Sequence, residues 1–452
     1  MTPSADLPVW ERRTYEFLDD PVPDDVLDRG VLVVADVLAA ATAGATLADV
    51  NDVASGADFA DGTATVLGTD STAAPGQAAL ANTSAAIAQE IEEGHNTGGH
   101  VGASIVGGGF ALAEHADADG EAFVEAAVKA YEICTRLERG IFAMKDRMND
   151  ALPWLVRNPH STWTTVGPAL TGALCMGLDD DQVRNAVRVA ANLAVVSMHD
   201  AYEEGPTSRS FTAGFSAQAG VDAALTAAAG LQGSKAAMRE VYGPLDDLTD
   251  GGFDRWFRTL GDHWNVRESY FKFTPSCRYT HPPLGALQEI AGDVDVDAVE
   301  SIDVYTYRNA CDLDYHDVST YTSAKFSIPF VLARYLTAGD LWLEDFHGDA
   351  LSDPDTRTLA ERVHLHHDPA YERTFPEHWS ARVEVTHEDG STLEAECVDP
   401  PGDFRRAPDE ADLHALFGDL FEHGVDDPDG ALEAVLDIRN RPVRDVGTAL
   451  RP

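Results

Sequence analysis

DGEAFVEAAVKAYEICTRLERG, residues 119–140, decides the fold. Phe123, Ala126, Ala127, Ala130, Tyr131 and Cys134 recur at steps of three and four and so share one stripe of a helix. Glu121 stands near its start and Arg136 and Arg139 near its end, where the helix dipole favours each sign. The same grammar runs outward on both sides: from about residue 27 to 265 the chain reads as alanine-rich amphipathic helices closed by glycine. LDDDQVRNAVRVAANLAVVSM (178–198) opens on aspartates and is apolar on most faces, which predicts a central, buried helix, and its small residues predict close packing. Beyond residue 266 the grammar changes. SIDVYTYRN (301–309) alternates with period two, and WSARVEVTHEDGSTLEAECV (379–398) reads as two strands joined at an Asp-Gly turn. After PPGDFRRAP (400–408) helices return in EADLHALFGDLFEHG (410–424) and DDPDGALEAVLDI (426–438). The expected fold is therefore mainly α, with a large all-helical domain built from both chain ends, 1–265 and 402–452, and a smaller α+β domain, 266–401, inserted between them. A chain of 452 residues exceeds one ordinary core, and a cleft between two domains suits a small ligand.

Acidic residues number 77 against 32 basic ones, giving a formal net charge of −45, and lysine occurs only at positions 129, 145, 235, 272 and 325. Such a field repels nucleic acid and anionic membranes, so neither is expected as a partner. The acids are spread through loops and helix faces, as in DDPVPDD (19–25), DADGE (117–121) and DDDQ (179–182). That spread predicts a halophilic surface, because concentrated salt screens the repulsion. The five cysteines, 134, 175, 277, 311 and 397, form no CxxC pair, which argues against a zinc ribbon, an iron–sulfur cluster and a disulfide scaffold. MTPSADLPVW carries no basic and apolar leader, and GVLVVADVLAAATAG (30–44) is short and interrupted by Asp36. A cytoplasmic location is expected.

GHNTGGHVGAS (94–104) follows the acidic QEIEE (89–93), so His95, His100, Glu90, Glu92 and Glu93 crowd a stretch with little side-chain bulk. HExxH is absent and a spacing of five does not stack two histidines on one helical face; HLHHD (364–368) places His364 and His366 on one face of a strand, where a solvated edge is the plainer reading. No metal is expected at either. The glycines at 98–99 and 107–109 read as loops or helix starts, yet neither GxGxxG nor GxxxxGK[ST] is matched. A helix starting near His100 would favour a carboxylate and hold the imidazole neutral. KFTPSCRYTH (272–281) collects Lys272, Ser276, Arg278, Tyr279, Thr280 and His281 around Cys277. Neighbouring cations could lower the thiol pKa, with a buried structural cysteine as the alternative, and the decapeptide as a whole is better suited to gripping an anion.

Six segments in order, GGHVGASIVGGGFALAE, AYEICTRLERG, NPHSTWTTVGPALTGALCMGL, EEGPTSRSFTAGFSAQAGVDAAL, YFKFTPSCRYTHPPLGAL and SAKFSIPFVLARYLTAGDL, resemble the MmgE/PrpD family along nearly the whole chain. That family includes 2-methylcitrate dehydratase, cis-aconitate decarboxylase and epimerases. The resemblance implies a homodimer, a helical domain with the α+β domain as its lid, and no cofactor. It puts Glu90 where the family has an aspartate, and His100 and His160 at the family histidines. Lys272 falls on a retained lysine, whereas Arg209 in SRSFTAG replaces the lysine of AKxLHAG and Thr212 replaces its histidine. Gly94 stands for a usual threonine, Val101 for a proline, and Cys277 for a histidine of the decarboxylase, while CRYTH resembles the dehydratase and epimerase branches.

The chemistry implied is proton abstraction beside a carboxylate. His100, His160, Lys272 and Glu90 are the expected catalytic residues, and Arg209, Arg278, Cys277 and His281 the expected substrate-binding ones. The leading expectation is a metal-independent hydro-lyase dehydrating 2-methylcitrate or a close tricarboxylate, with the small polycarboxylate as its partner. The alternatives are a decarboxylase or epimerase of a related polycarboxylate, or a non-catalytic dimeric binding protein retaining the fold.

Overall fold

The structure, a computed structural model, describes residues 7–56, 59–97, 99–142, 164–193, 202–246 and 252–452; His160 lies outside them. Helix α1 (Asp24–Ala45) starts on Asp24 and Asp25 and is buried along most of its length. It packs on α2 (Pro75–Ala88), where Gly44 allows the backbones to touch: a Cβ there would run into the Ala85 carbonyl oxygen. Strand β1 (Gly94–His95) leads into α3 (Val101–His115), buried from Val101 to Glu114. The glycines at 107–109 lie inside α3, not at a loop or helix start as their composition suggested. They face Thr83 Oγ1, Pro168 Cβ and Thr171 Cγ2, which a Cβ would approach to 2.5, 2.6 and 2.5 Å. The small residues are there for helix contact.

The stripe read at 119–140 is α4 (Gly120–Phe142), with Phe123, Ala126, Ala127, Ala130, Tyr131 and Cys134 all buried. Helix α5 (Val166–Cys175) lies between α3 and α4, followed by α6 (Asp180–Asn192) and α7 (Ser208–Ala228). A central position was expected of α6. Instead it is one-sided: Val183, Ala186, Val187, Ala190 and Ala191 are buried, while Asp180, Asp181 and Asn192 are exposed. The apolar tail that suggested full burial falls largely outside the described residues. The interior positions belong to α2 and α3, against which α7 packs.

Strand β2 (Ser269–Tyr270) pairs antiparallel with β1, Gly94 opposite Tyr270 and His95 opposite Ser269. Then come α8 (His281–Ile290), β3 (Val299–Thr306), α9 (Ile328–Ala338), β4 (Val363–His367), β5 (Ala381–His387) and β6 (Thr392–Cys397). The sheet order is β4-β3-β5-β6; β4 runs parallel to β3, with Val304 opposite Leu365, and the other pairs are antiparallel. Burial alternates strictly along β5, and α8 covers the inner face of β5 and β6, so period two and core face agree. Helices α10 (Glu410–Phe421), α11 (Pro428–Leu436) and α12 (Val443–Ala449) close the chain.

Apolar burial falls into two clusters. One spans Trp10 to Phe271 and takes in Leu343 and residues from Leu413 to Leu450; the other runs from Cys277 to Cys397. Among the described residues no single helix is long and apolar enough to cross a membrane.

Candidate active site

Glu90 occupies the turn after α2 with a left-handed backbone, φ +53°, which a non-glycine residue adopts only where its surroundings hold it. Its buried carboxylate is met from three directions. Arg209, in the first turn of α7, donates from Nη1 to Oε1. Lys272, just beyond β2, donates from Nζ to the Glu90 carbonyl oxygen at 2.8 Å and stands 3.4 Å from Oε2. His100, capping the start of α3, places Nε2 3.8 Å from Oε2. Burial pushes the Glu90 carboxyl up, but Arg209, His100, Lys272 and Lys325 together outweigh it and hold the pKa at about 2. Glu90 is a fixed anion.

The other edge of His100 is braced as well, with Nδ1 2.5 Å from Oε1 of Glu92, itself fully buried and 3.7 Å from Lys272 Nζ. The β1–β2 pairing brings the turn at residues 90–100 against residues 269–272. Gly94 makes that approach close, because the Tyr270 hydroxyl fills the space a side chain would need; a Cβ would lie 2.5 Å from its Cζ. Where the family usually carries a threonine, this chain brings a tyrosine hydroxyl from the opposite strand.

The start of α3 does not offer its N–H groups to a ligand as expected. Glu93 Oε1 accepts from the Gly102 N–H at 2.7 Å, and Tyr131 Oη donates to Glu93 Oε2 at 2.9 Å. Burial raises the Glu93 pKa to about 8, with those hydrogen bonds opposing. The protein's own carboxyl caps this helix.

Of the decapeptide 272–281, Lys272 contacts Glu90 directly. Arg278 pairs with buried Asp403 at 3.0 Å and lies over the Tyr270 ring, 4.1 Å from its centroid, and Asn96 Nδ2 donates to the same Asp403 oxygen at 2.8 Å. Cys277 does not have the lowered thiol pKa its cationic neighbours suggested. Burial and then Glu90 push it up to about 12, so the thiol keeps its proton. His281 is buried at the start of α8, its Nε2 3.3 Å from the Ser276 carbonyl; burial, then Arg278 and Lys272, hold its pKa well below the usual range and keep the ring neutral.

Lys325 is the residue sequence reasoning missed. Fully buried in SAKFSIPF, it donates from Nζ to the Gln89 carbonyl at 2.8 Å and to Gln89 Oε1 at 2.5 Å, one residue from Glu90. Burial brings its pKa down to about 7; Glu90 resists the fall and Lys272 adds to it. The scarcity of lysine that singled out Lys272 applied equally to Lys325. Among the described residues no group of three His, Cys, Asp or Glu side chains is placed to hold a metal ion, and in HLHHD His366 Nε2 instead meets Asp303 at 2.6 Å.

The cluster thus joins a partly exposed imidazole, braced by a carboxylate, to three buried cations, one arginine and two lysines. It has the parts to hold carboxylates, to stabilise added negative charge and to move a proton at His100 Nε2.

Comparison with known proteins agrees in extent and kind. The MmgE/PrpD N-terminal domain model matches residues 16–255, and the MmgE/PrpD C-terminal domain model matches residues 274–438. Cis-aconitate decarboxylase of Aspergillus terreus is 23% identical over 431 residues, 87% of this chain and 85% of that protein. A cis-aconitate decarboxylase from Aspergillus terreus strain NIH 2624 / FGSC A1156 is 24% identical over 429 residues, with the same shares covered. With both halves matched in order and a site assembled from each, the chain belongs to the MmgE/PrpD family.

Proposed function

We propose that the chain is a lyase acting on a tricarboxylate, and that its reaction is dehydration of 2-methylcitrate or a close relative. The observation that carries this reading is the convergence of His100, Arg209, Lys272 and Lys325 around Glu90 and Glu92 inside a protein of net charge −45. Buried cations are costly unless they do electrostatic work, and a carbanion beside a carboxylate needs that work. In the proposed step His100 Nε2 takes the α-proton while Glu92 holds Nδ1. The electron pair left on carbon forms the double bond as the neighbouring hydroxyl departs, protonated by a second acid to leave as water. His160 is the candidate for that acid by family resemblance. Arg209 and Lys272 bind substrate carboxylates, and the α+β part closes over them as a lid.

The names of the A. terreus relatives favour a second reading, decarboxylation, in which CO2 leaves and the carbanion is protonated. One experiment separates the two. The purified protein in molar KCl with chelator is incubated in D2O with a polycarboxylate panel and followed by NMR for alkene formation, CO2 release and α-proton exchange. Alkene formation from 2-methylcitrate with chelator present is the expected outcome; CO2 release without water loss selects the second reading. A panel with no turnover and no exchange overturns both.

A further inference from the structure

A cavity of about 650 Å³ opens away from the Glu90 cluster, where the helical part meets residues 372–377 and 404–405, and neither Glu90, His100, Arg209 nor Lys272 lines it. Four arginines do: Arg139, Arg255, Arg373 and Arg405. In a chain with 77 acidic and 32 basic residues, four cations around one hollow repel one another unless anions answer them. Arg405 is answered, by Glu377 at 2.5 Å and by Asp403 and Asp399 at 3.7 and 3.8 Å. The other lining carboxylates have partners outside the four arginines: Glu268 meets His263 at 2.9 Å, and Glu372 accepts from the Arg308 N–H at 2.7 Å. Arg139 and Arg373 have no ion pair within 4 Å among the described residues.

A second feature points into the same space. The His95 side chain is only 3% exposed, and the Thr97 N–H donates to its Nδ1 at 3.2 Å. Burial, then Arg139 and Arg136, lower its pKa to about 3, so the ring is neutral; Nδ1 also lies 3.0 Å from Thr97 Oγ1, and the N–H donated to Nδ1 assigns the ring's one proton to Nε2. That N–H has no hydrogen-bond acceptor among the described residues; the closest carboxylate oxygen, on Glu268, is 3.8 Å away. A buried donor left without an acceptor is a cost that a ligand oxygen would relieve. The remaining wall is flat and apolar, supplied by Trp256, Phe375 and Phe404.

We propose that this cavity is a binding site for an organic anion carrying phosphate or carboxylate groups on a flat apolar body. The oxygens would accept from His95 Nε2 and from the guanidinium groups of Arg139 and Arg373, and the body would lie against the aromatic wall. Its volume falls in the range of ordinary small-molecule sites. Asn96, which also lines it, reaches the Arg278–Asp403 pair, so an occupant stands two side chains from the decapeptide that carries Lys272.

The test is calorimetric titration of the full chain, at the lowest KCl that keeps it folded, with adenosine 5′-monophosphate, benzene-1,3,5-tricarboxylate and inorganic phosphate. The first two probes separate phosphate from carboxylate recognition; the third measures bare charge. We expect saturable binding of at least one flat anion, tighter than inorganic phosphate. The double variant Arg139→Gln/Arg373→Gln should weaken it about tenfold or more, and His100→Asn should leave it unchanged. Both arginines are exposed, so the variant is expected to fold, and Arg373→Glu alone gives a second reading of the same sign. Absence of saturable binding for all three probes, binding indifferent to the arginine changes, or binding lost equally in His100→Asn overturns the proposal.

Discussion

Two buried groups near the site titrate in the working range with opposite consequences. Lys325, at about 7, gains charge as pH falls, so in the proposed reaction its help in holding substrate carboxylates would be present below pH 7 and fade above it. Lys325→Met should lower kcat/KM by about tenfold at pH 6, with a smaller loss at pH 8.5, flattening the profile between them. Glu93, at about 8, is neutral in the folded protein where the unfolded chain, near 4.5, has already ionised. Between those values the native state binds more protons, so its contribution to stability falls as pH rises. Lys325 is charged in both states below pH 7, but His95 and His281, neutral in the fold, take up protons on unfolding in the same interval and tilt the slope the other way, so the readout from pH 5 to 7 is the difference between variant and wild type. Glu93→Gln keeps an oxygen for the Gly102 N–H and removes the titration. From pH 5 to 7 its Tm should change more favourably than that of wild type, by a few degrees, while Glu11 and Glu114, both raised to about 7, and the neutral histidines leave the same residual slope in both proteins. Equal slopes would take Glu93 out of the account. Much of this chemistry was visible in QEIEE and GHNTGGHVGAS as composition, but not as assignment. Three acids within four residues, Glu90, Glu92 and Glu93, ended as an anion, a brace for His100 and a neutral helix cap, because burial and partners from distant segments decide among them. Arg209 is 119 residues from Glu90, and no local spacing announces such a contact.

At the scale of elements the periodic signals succeeded and the ambiguous ones did not. The alternation of β3, β5 and β6 points to a single face and burial follows it, whereas α4 is buried beyond its stripe, with Val124, Val128, Glu132 and Ile133 on its other sides buried as well. Glycine carries no such direction: 107–109 read equally as loop or as helix surface worn down for packing, and only the neighbours Thr83, Pro168 and Thr171 decide. The contact of α1 with α2 is the sharpest instance of that packing. Gly44→Ala must push a methyl into a main-chain carbonyl that cannot rotate away, and should destabilise by about 3 kcal/mol or leave the chain insoluble. Gly292→Ala, where a Cβ meets nothing within 4 Å, is the control and should leave Tm within a degree or two. A tolerated Gly44→Ala would mean that α1 and α2 stand further apart than described.

For the molecule as a whole, charge is the governing quantity. A net −45 makes compaction work against self-repulsion, and salt near 1 M shortens the Debye length to about 3 Å. Salt also weakens surface pairs such as those of Arg439 with Asp24, Asp28 and Glu121, but exposed pairs are each worth little. Relief of repulsion should win: Tm should rise steadily as KCl goes from about 0.2 to 2 M, and a flat or falling curve would remove the halophilic reading. One small feature sets a limit on how the molecule can move. The two-residue pairing of Gly94–His95 with Ser269–Tyr270 is where the Glu90 turn and Lys272 are sewn together. Any hinge that parts the two regions must unpick that seam and draw the ammonium off its carboxylate, so gaping and disarming are one event. A substrate has to enter beside the stitch rather than through it.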